Sequence, residues 1–384
     1  MDFDFQWLLF ALPLTFALGW FASRTDLRHW RREQRDTRQA YIKGLNLLLN
    51  EQHDKAIDAF IEAVQQDPAT VDLHFALGNL FRRRGEHERA VRVHEHLLQR
   101  TDLPAMERVR AQNALAQDFM KAGLFDRAEQ AFRALDGTVF DTEAQLALLT
   151  LFERSRDWRD AIDVAHKLER RGAGSFASRV AHYWCEIAEE ADAQLKVEVA
   201  NEALQKARQS APRAARPMTL SGRRLAHHGE HKQAFQVFSE LLAANPGRFT
   251  LIAHEYAVSA MACGEQTAAL DQLQRLHQRS PSINLLSAMT LLDTDPKQHR
   301  NRLLCHLREQ PTLSAAQQFL QAASDGSTLE NVEMLALCSA VDRAAKSLQR
   351  YRCAACGFEA RHCFWQCPGC MTWDSYPPQR LEDL

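Results

Sequence analysis

Glycine, proline and tyrosine are all scarce in this chain of 384 residues, which contains 15 Gly, 12 Pro and 5 Tyr. Residues that build turns and strands are therefore in short supply, while the helix formers Ala, Leu, Arg, Gln and Glu are abundant. This balance argues against an all-β protein and against an enzyme built on a Rossmann-like sheet. With 46% hydrophobic and 25% charged residues, the chain still has the composition of a folded protein, and its length predicts two or three globular units.

An excess of positive charge is also missing, because 47 Lys and Arg stand against 49 Asp and Glu and give a formal charge of −2. The chain therefore lacks a general electrostatic attraction to nucleic acid, and we expect no nucleic-acid partner. A glycine-rich phosphate loop, a GxSxG elbow and an HExxH motif are absent from the sequence as well. We therefore predict that the protein is not an enzyme.

A long apolar run at residues 5–22 (FQWLLFALPLTFALGWFA) contains no charge and is close to the length that a helix needs to cross a membrane. Asp2 and Asp4 precede the run and six arginines follow it between residues 24 and 38, which is the reverse of the order in a cleaved signal peptide. The positive-inside rule places the N-terminus outside the membrane and the rest in the cytoplasm. The sequence thus predicts a single-pass anchor at 1–23 and a basic juxtamembrane linker at 24–36.

The middle of the chain repeats itself with a period near 34 residues. A small residue, an Ala, two apolar positions and often a Pro recur at fixed offsets, as in Gly44, Ala56, Phe60, Ala63 and Pro68, then Gly78, Ala90, His94, Leu97 and Asp102, and again Gly222, Ala234, Phe238, Leu241 and Pro246. Small residues at this spacing let two antiparallel helices approach closely, and Pro stops the second helix.

This pattern resembles the tetratricopeptide repeat (TPR), whose helix pairs stack into a superhelix, although another helical hairpin array would fit the same residues. We assign a TPR array to residues 37–281 and an irregular helical cap to 282–348.

Repeats two and three carry polar and basic residues at the offsets predicted to face inward, where packing does not require them. The predicted partner-binding groove is lined by Phe75, Asn79, Arg82, Arg110, Asn113, Gln117 and Lys121. Such side chains suit the backbone amides and acidic groups of a bound peptide segment. The alternative interpretation is that these residues form an ordinary solvent-exposed face that binds no partner.

The tail at 349–384 contains two CxxC pairs separated by ten residues. Each pair places two thiolates on one side of a tight turn, so Cys353, Cys356, Cys367 and Cys370 are predicted to hold one Zn²⁺ in a tetrahedron of sulfur. Cys363 fits neither pair and is expected to be a free thiol. About 30 residues bury too little apolar surface to fold unaided, so the ion would hold the module together.

The same tail resembles rubredoxin-like zinc ribbons, so bound iron and electron transfer form an alternative to zinc. It also contains more aromatic side chains than such a small module can bury. We expect the surplus among Phe358, Phe364, Trp365, Trp373 and Tyr376 to dock on the repeats.

The order of these parts, and the stretch AYIKGLNLLLNEQHDKAIDAFIEAVQQDP, resemble the lipopolysaccharide assembly protein B family of Gram-negative bacteria. The resemblance implies an all-α TPR superhelix with an N-terminal transmembrane helix and a small C-terminal rubredoxin-like zinc ribbon, in which Cys353, Cys356, Cys367 and Cys370 are the metal ligands.

In function, the resemblance implies a single-pass inner-membrane adaptor that regulates lipopolysaccharide biosynthesis by presenting the lipid A deacetylase to a membrane-bound AAA+ protease. Other lipopolysaccharide-assembly membrane proteins are further expected partners. A scaffold for lipopolysaccharide-assembly enzymes without a role in proteolysis, and an iron electron carrier, are the alternatives.

Overall fold

The computed structural model describes residues 52–66, 70–293, 295–324, 341–346 and 348–383, with a few isolated positions before residue 51. Across this part of the chain, no helix combines the length and the apolar character needed to span a membrane. Apart from Phe16 and Trp20, the predicted anchor lies outside the described residues, and so does the linker at 24–36.

The chain divides into two compact units, Met1–Ala173 and Gly174–Leu384. The described helices of the first unit are α1 (His53–Gln66), α2 (Val71–Arg84), α3 (His87–Gln99), α4 (Ala105–Ala122), α5 (Phe125–Arg133), α6 (Asp141–Ser155) and α7 (Trp158–Arg170). Those of the second unit are α8 (Ala177–Ala193), α9 (Val197–Ser210), α10 (Ala215–His227), α11 (His231–Ala244), α12 (Pro246–Phe249), α13 (Ala253–Cys263), α14 (Gln266–Arg279), α15 (Ile283–Leu292), α16 (Pro296–Glu309) and α17 (Leu313–Ser324).

Successive helices form antiparallel hairpins because the sequence ends each first helix sharply. Gly85 and Gly123 follow α2 and α4 with φ values of 85° and 76°, in the left-handed region that glycine enters without a steric penalty. In both turns the backbone N–H of the glycine donates to a carbonyl of the preceding helix. The next helix can then fold back at once.

The two helices of a hairpin approach closely where the repeat pattern places its small residue. A Cβ atom on Gly222 of α10 would overlap the ring of Phe238 on α11. In the first unit, a Cβ atom on Gly78 of α2 would lie 2.5 Å from the ring of His94 on α3. The alanines of the pattern, such as Ala90 and Ala234, are fully buried between the same helices.

A short two-stranded ribbon completes the second unit. Strand β1 (Tyr351–Arg352) pairs antiparallel with β2 (Glu359–Ala360), so that Tyr351 lies opposite Ala360. A single bridge joins Gln366 and Trp373 further along. The predicted all-helical TPR-like array with a C-terminal ribbon is confirmed, while the predicted domain boundaries stay predictions.

Candidate metal centre and partner-binding surfaces

The four predicted metal ligands lie on two similar turns. In the first, the backbone N–H of Gly357 donates to the carbonyl of Cys353, and Gly357 has the positive φ that the motif requires. In the second, the N–H of Met371 donates to the carbonyl of Cys367. Each turn thereby directs both of its thiols to the same side.

The sulfur atoms of Cys353, Cys356, Cys367 and Cys370 all lie within 4.8 Å of one another. The Cys353 and Cys370 sulfurs are 3.8 Å apart, and those of Cys356 and Cys367 are 3.6 Å apart. A tetrahedron with metal–sulfur bonds of about 2.3 Å has edges of about 3.8 Å, so these two separations match the edges of a sulfur tetrahedron around one ion. Four protein ligands leave no open position, which is typical of a structural site. Zinc and iron fit this cage equally well.

Cys363 lies outside this cluster, against the repeat helices. Its Sγ is 3.5 Å from Nη1 of Arg248, and burial raises the pKa of the thiol above its ordinary value. A protonated thiol is a poor metal ligand and a poor nucleophile. This position is the one expected for a free thiol.

The ribbon is attached to the helices of its own unit through Asp374. The Asp374 carboxylate lies 2.7 Å from Nε2 of His182 on α8 and accepts a hydrogen bond from the Ser178 hydroxyl at 3.4 Å. Arg248 lies 3.9 Å from the same carboxylate. Partial burial on its own would raise the pKa of Asp374, but the hydrogen bond and charge of His182, with Arg248 nearby, hold that pKa below its ordinary value.

Two tryptophans of the ribbon extend this contact. The Trp373 ring stacks on the His182 ring with centroids 4.6 Å apart, and the guanidinium of Arg248 lies 5.1 Å from the Trp365 ring. Of the five aromatics considered, Trp365 and Trp373 therefore dock on the helices and Tyr376 is fully buried in the ribbon. Phe358 and Phe364 do not dock and remain 44% and 39% exposed.

The C-terminal residues make a further attachment to the last helices. The Glu382 carboxylate caps α17 by accepting hydrogen bonds from the backbone N–H and the hydroxyl of Ser314. The backbone N–H of Leu381 donates to the carbonyl of Arg350. The C-terminal end of the ribbon is thus held both to α17 and to the residue that precedes β1.

The predicted groove of repeats two and three contains residues with different surroundings. Phe75 is 2% exposed and packs with Leu97, Leu103 and Ala111, so it belongs to the core between the helices and offers no surface to a partner. Asn113 is also buried and donates to the Glu143 carboxylate at 3.4 Å. These two positions were predicted to line the groove, but they point between helices where apolar and amide groups are removed from water.

Arg82 is held in a buried network that the sequence did not indicate. Its Nη1 lies 2.9 Å from Asp118, and its Nη2 donates to Asn79 at 2.5 Å. The other oxygen of the fully buried Asp118 lies 2.5 Å from Nδ1 of His94. A signal for this network exists, because His94 occupies the repeat position that holds Phe60 and Phe238 elsewhere.

The remaining groove residues face solvent to a larger extent. Arg110 is exposed and pairs with Asp72 at 3.1 Å, while Gln117 donates to Glu143 at 2.8 Å. Lys121 is exposed at the end of α4. The structure therefore leaves Arg110, Gln117 and Lys121 as the accessible part of the predicted groove, and their role in binding stays a prediction.

His182, Arg248 and Asp374 were not identified from the sequence. His182 and Asp374 are separated by 192 positions, and no local pattern connects them. The expected docking of aromatic side chains indicated that such partners exist, but only the fold brings them together.

Comparison with known proteins supports both modules. The Rubredoxin metal binding domain family matches residues 351–377, and the Tetratricopeptide repeat family matches residues 43–94 and 185–249. The chain is similar to lipopolysaccharide assembly protein B of Escherichia coli strain K12, with 30% identity over 97% of this chain and 98% of the relative. It is also similar to lipopolysaccharide assembly protein B of Haemophilus influenzae, with 28% identity over 97% of each chain.

Proposed function

We propose, because the chain belongs to the lipopolysaccharide assembly protein B family, that it is an inner-membrane adaptor that regulates lipopolysaccharide biosynthesis. It would present the lipid A deacetylase to a membrane-bound AAA+ protease for degradation. The protein would cross the membrane once, with its N-terminus in the periplasm and the bulk of the chain on the cytoplasmic side.

The attachment of the metal ribbon to the repeat helices carries this proposal. The ribbon contacts α8 through the hydrogen bond between His182 and Asp374 and through the stacked Trp373 ring, so a metal-held module and helical hairpins form one surface. Helical hairpin arrays present extended surfaces for protein partners. Two modest contacts on such a scaffold combine to hold a client and a protease together without either contact being tight.

We further propose that the ribbon holds one Zn²⁺ at Cys353, Cys356, Cys367 and Cys370, where the ion would supply folding free energy and not a reactive position. Metal analysis of the purified full chain should give one zinc per chain and a colourless protein. Bound iron with visible colour and a reversible one-electron couple would instead favour the electron carrier.

The adaptor proposal is tested by measuring the half-life of the lipid A deacetylase in cells after protein synthesis is stopped. Depleting this protein should lengthen that half-life and raise lipopolysaccharide, and restoring the wild-type chain should reverse both. Restoring Cys353→Ser should not, because the ribbon loses a ligand and unfolds. Cys363→Ser is the matched control, since it removes a thiol of the same ribbon that lies outside the metal cluster, and it should restore turnover.

An unchanged deacetylase half-life upon depletion would contradict the adaptor proposal. The scaffold for lipopolysaccharide-assembly enzymes would then be the better explanation, since it predicts altered lipopolysaccharide without altered proteolysis. The name that the curated relatives carry, assembly protein, suits either outcome.

A further inference from the structure

A cavity of about 870 Å³ lies between α9 and α10 in the second unit, away from the ribbon contacts described above. It runs along one stripe of α9 from Val197 to Gln209 and along the second half of α10 from Ser221 to His228. Twelve residue steps of an α-helix cover about 18 Å, so this α9–α10 trough is an elongated feature. Its volume lies in the range of about 300–1,000 Å³ that is typical of ligand sites.

Three side-chain amides follow one another along the trough wall. Asn201, Gln205 and Gln209 stand at intervals of four residues on α9, which places them about 6 Å apart along the helix axis. All three are exposed. Asn201 accepts from Arg224 at 3.0 Å, whereas Gln205 and Gln209 have no hydrogen-bond partner within the part of the chain that the structure describes.

This amide spacing matches the backbone of an extended peptide. Along one edge of a β-strand, the N–H and C=O groups of every second residue point the same way, with a repeat of about 6.6–6.8 Å. Each side-chain amide offers a carbonyl acceptor and two donors to such groups. A helical ligand would not use these amides, because its backbone groups are already paired internally. A hydrocarbon chain would desolvate them without replacing their hydrogen bonds to water.

The two arginines of the trough are each paired with a neighbouring carboxylate. Arg208 pairs with Glu240 on α11 at 2.6 Å, and Arg224 pairs with Asp192 on α8. Neither guanidinium therefore requires a carboxylate from a ligand. The paired arginines offer no free cation to an acidic ligand, and the exposed carboxylate of Glu230 at the rim would repel one, so the trough favours a segment without acidic side chains.

Apolar groups line part of the trough and continue onto its rim. Leu204 and Leu225 are among its lining residues and Pro212 closes one end. At the other end Val197 is 46% exposed, and the adjoining turn places Leu195 at 87% exposure. Aliphatic side chains of a ligand would cover these surfaces and gain about 25 cal/mol for each Å² removed from water.

We propose that the α9–α10 trough binds an extended, uncharged polypeptide segment with aliphatic side chains at alternate positions. The side-chain amides of Gln205 and Gln209 form hydrogen bonds with the backbone of the segment, and its side chains pack against the apolar residues of the trough and its rim. The surface differs from the groove predicted for repeats two and three, because it is built from other helices and its arginines are already paired, so it offers no free cation to acidic side chains. The inference rests on the proposed adaptor function only for the identity of the protein that carries the segment.

The test measures binding of a defined probe to the purified full chain by fluorescence anisotropy. The probe is a capped octapeptide of alternating valine and serine with a fluorescein on a Gly-Ser linker. We expect Gln205→Leu with Gln209→Leu to weaken binding at least about tenfold, because two hydrogen bonds to the ligand backbone are lost. Gln278→Leu is the matched control, since Gln278 is an exposed glutamine on α14 outside the trough, and it should leave probe affinity unchanged.

A second probe separates backbone recognition from simple apolar contact. It has the same sequence with alternate peptide bonds N-methylated, prepared in both registers, and at least one register should bind at least about tenfold more weakly to the wild-type chain. No binding of the first probe, equal binding to the double variant, or undiminished binding of both methylated probes would each overturn the proposal. The last result would indicate a site for hydrocarbon groups, such as a lipid chain.

The trough proposal and the adaptor proposal fail separately. If Gln205→Leu with Gln209→Leu loses the probe in solution but still supports deacetylase turnover in cells, the trough proposal stands and the client binds elsewhere. If depletion of the protein leaves deacetylase turnover unchanged, the adaptor proposal fails while the binding result keeps its meaning.

Discussion

Gly222 has no side chain at the point where the Phe238 ring lies against its Cα, and a Cβ there would overlap the ring. Gly222→Ala should therefore separate α10 and α11 and lower the free energy of unfolding of the full chain by about 1–3 kcal/mol. Gly247→Ala is the control, because its nearest neighbour would be Cγ of Pro378 at 3.9 Å, an ordinary contact. Thermal unfolding followed by circular dichroism compares the two, and equal midpoints would contradict the close packing inferred for Gly222.

His277 provides a pH-dependent contribution to stability. Burial, with the His306 ring 5.3 Å away, lowers the pKa of His277 from 6.5 to about 4. In this interval the unfolded chain binds a proton that the folded chain does not, so stability rises with pH and is lost as the pH falls from about 6.5 toward 4. The contribution is about 1–2 kcal/mol once solvent screening of this half-buried group is allowed for.

His277→Gln should flatten that dependence. Its amide oxygen can still accept the backbone N–H of Ser282, which donates to Nδ1 of His277 at 3.3 Å. The measurement is the difference in unfolding midpoint between wild type and variant from pH 7 to pH 5, which cancels acid effects on the metal site that both chains share. Parallel curves for the two chains would show that His277 does not contribute.

At the scale of residues, the sequence predicted the contacts that depend on the spacing of residues close together in the chain. One turn brings Cys353 and Cys356 together. A ribbon with two such turns can bring four sulfur atoms to one point, as it does here. Phe75 and Asn113 are buried by helices that the repeat offsets alone do not place, and the groove itself stays a prediction. The link between His182 and Asp374 needs the complete fold of the second unit.

Among the elements, the ribbon depends on a small contact for its position. Asp374→Ala removes the hydrogen bond to His182 and the carboxylate that lies near the guanidinium of Arg248. His182 is then left partly removed from water without its hydrogen-bond partner. We expect the ribbon to leave α8 more often, with tryptic cleavage near residue 350 about tenfold faster and the metal retained, since all four cysteines are intact.

Asp271→Ala is the matched control for this variant. Asp271 forms an exposed pair with Arg275 one turn along α14, and surface pairs of this kind contribute little. Cleavage near residue 350 should be unchanged. If Asp374→Ala were as resistant as Asp271→Ala, other contacts such as Ser314 with Glu382 would be sufficient to hold the ribbon.

The hairpins themselves were predictable from the spacing of their small residues, and in two of them a glycine, Gly78 or Gly222, lies against a ring of the next helix. Where His94 replaces the usual phenylalanine, the same close approach persists, and the Asp118 carboxylate pairs with Nδ1 of the buried ring while Arg82 pairs with that carboxylate. Arg82 is consequently unsuitable for testing partner binding, since Arg82→Glu would set two carboxylates against each other in the core. The α9–α10 trough could not be predicted, because it arises from the distance between helices and not from their sequence pattern.

At the scale of the whole molecule, the N-terminal segment is expected to determine where in the cell the protein acts. Apart from Phe16 and Trp20, the run at 5–22 and the six arginines after it lie outside the described residues, and their composition predicts a helix with a basic collar against anionic headgroups. Each such arginine contributes about 1 kcal/mol near an anionic surface before nearby acids are subtracted. Confinement to the membrane would also raise the effective concentration of membrane partners.

Removing residues 1–23 tests whether this placement is required. The shortened chain should fold, retain its metal and bind the octapeptide probe as before, because the ribbon, its contacts with α8 and the trough all lie within the second unit. In cells it should leave the membrane fraction and fail to shorten the half-life of the lipid A deacetylase, since the protein would no longer meet its client and the protease at the membrane surface.

Replacing residues 1–23 with an unrelated single-pass helix of the same orientation separates two explanations. Restored turnover would mean that the segment only anchors the chain, whereas continued failure would mean that it also contacts a membrane partner through its own side chains. Full turnover by the shortened chain would contradict the proposal that anchoring matters at all.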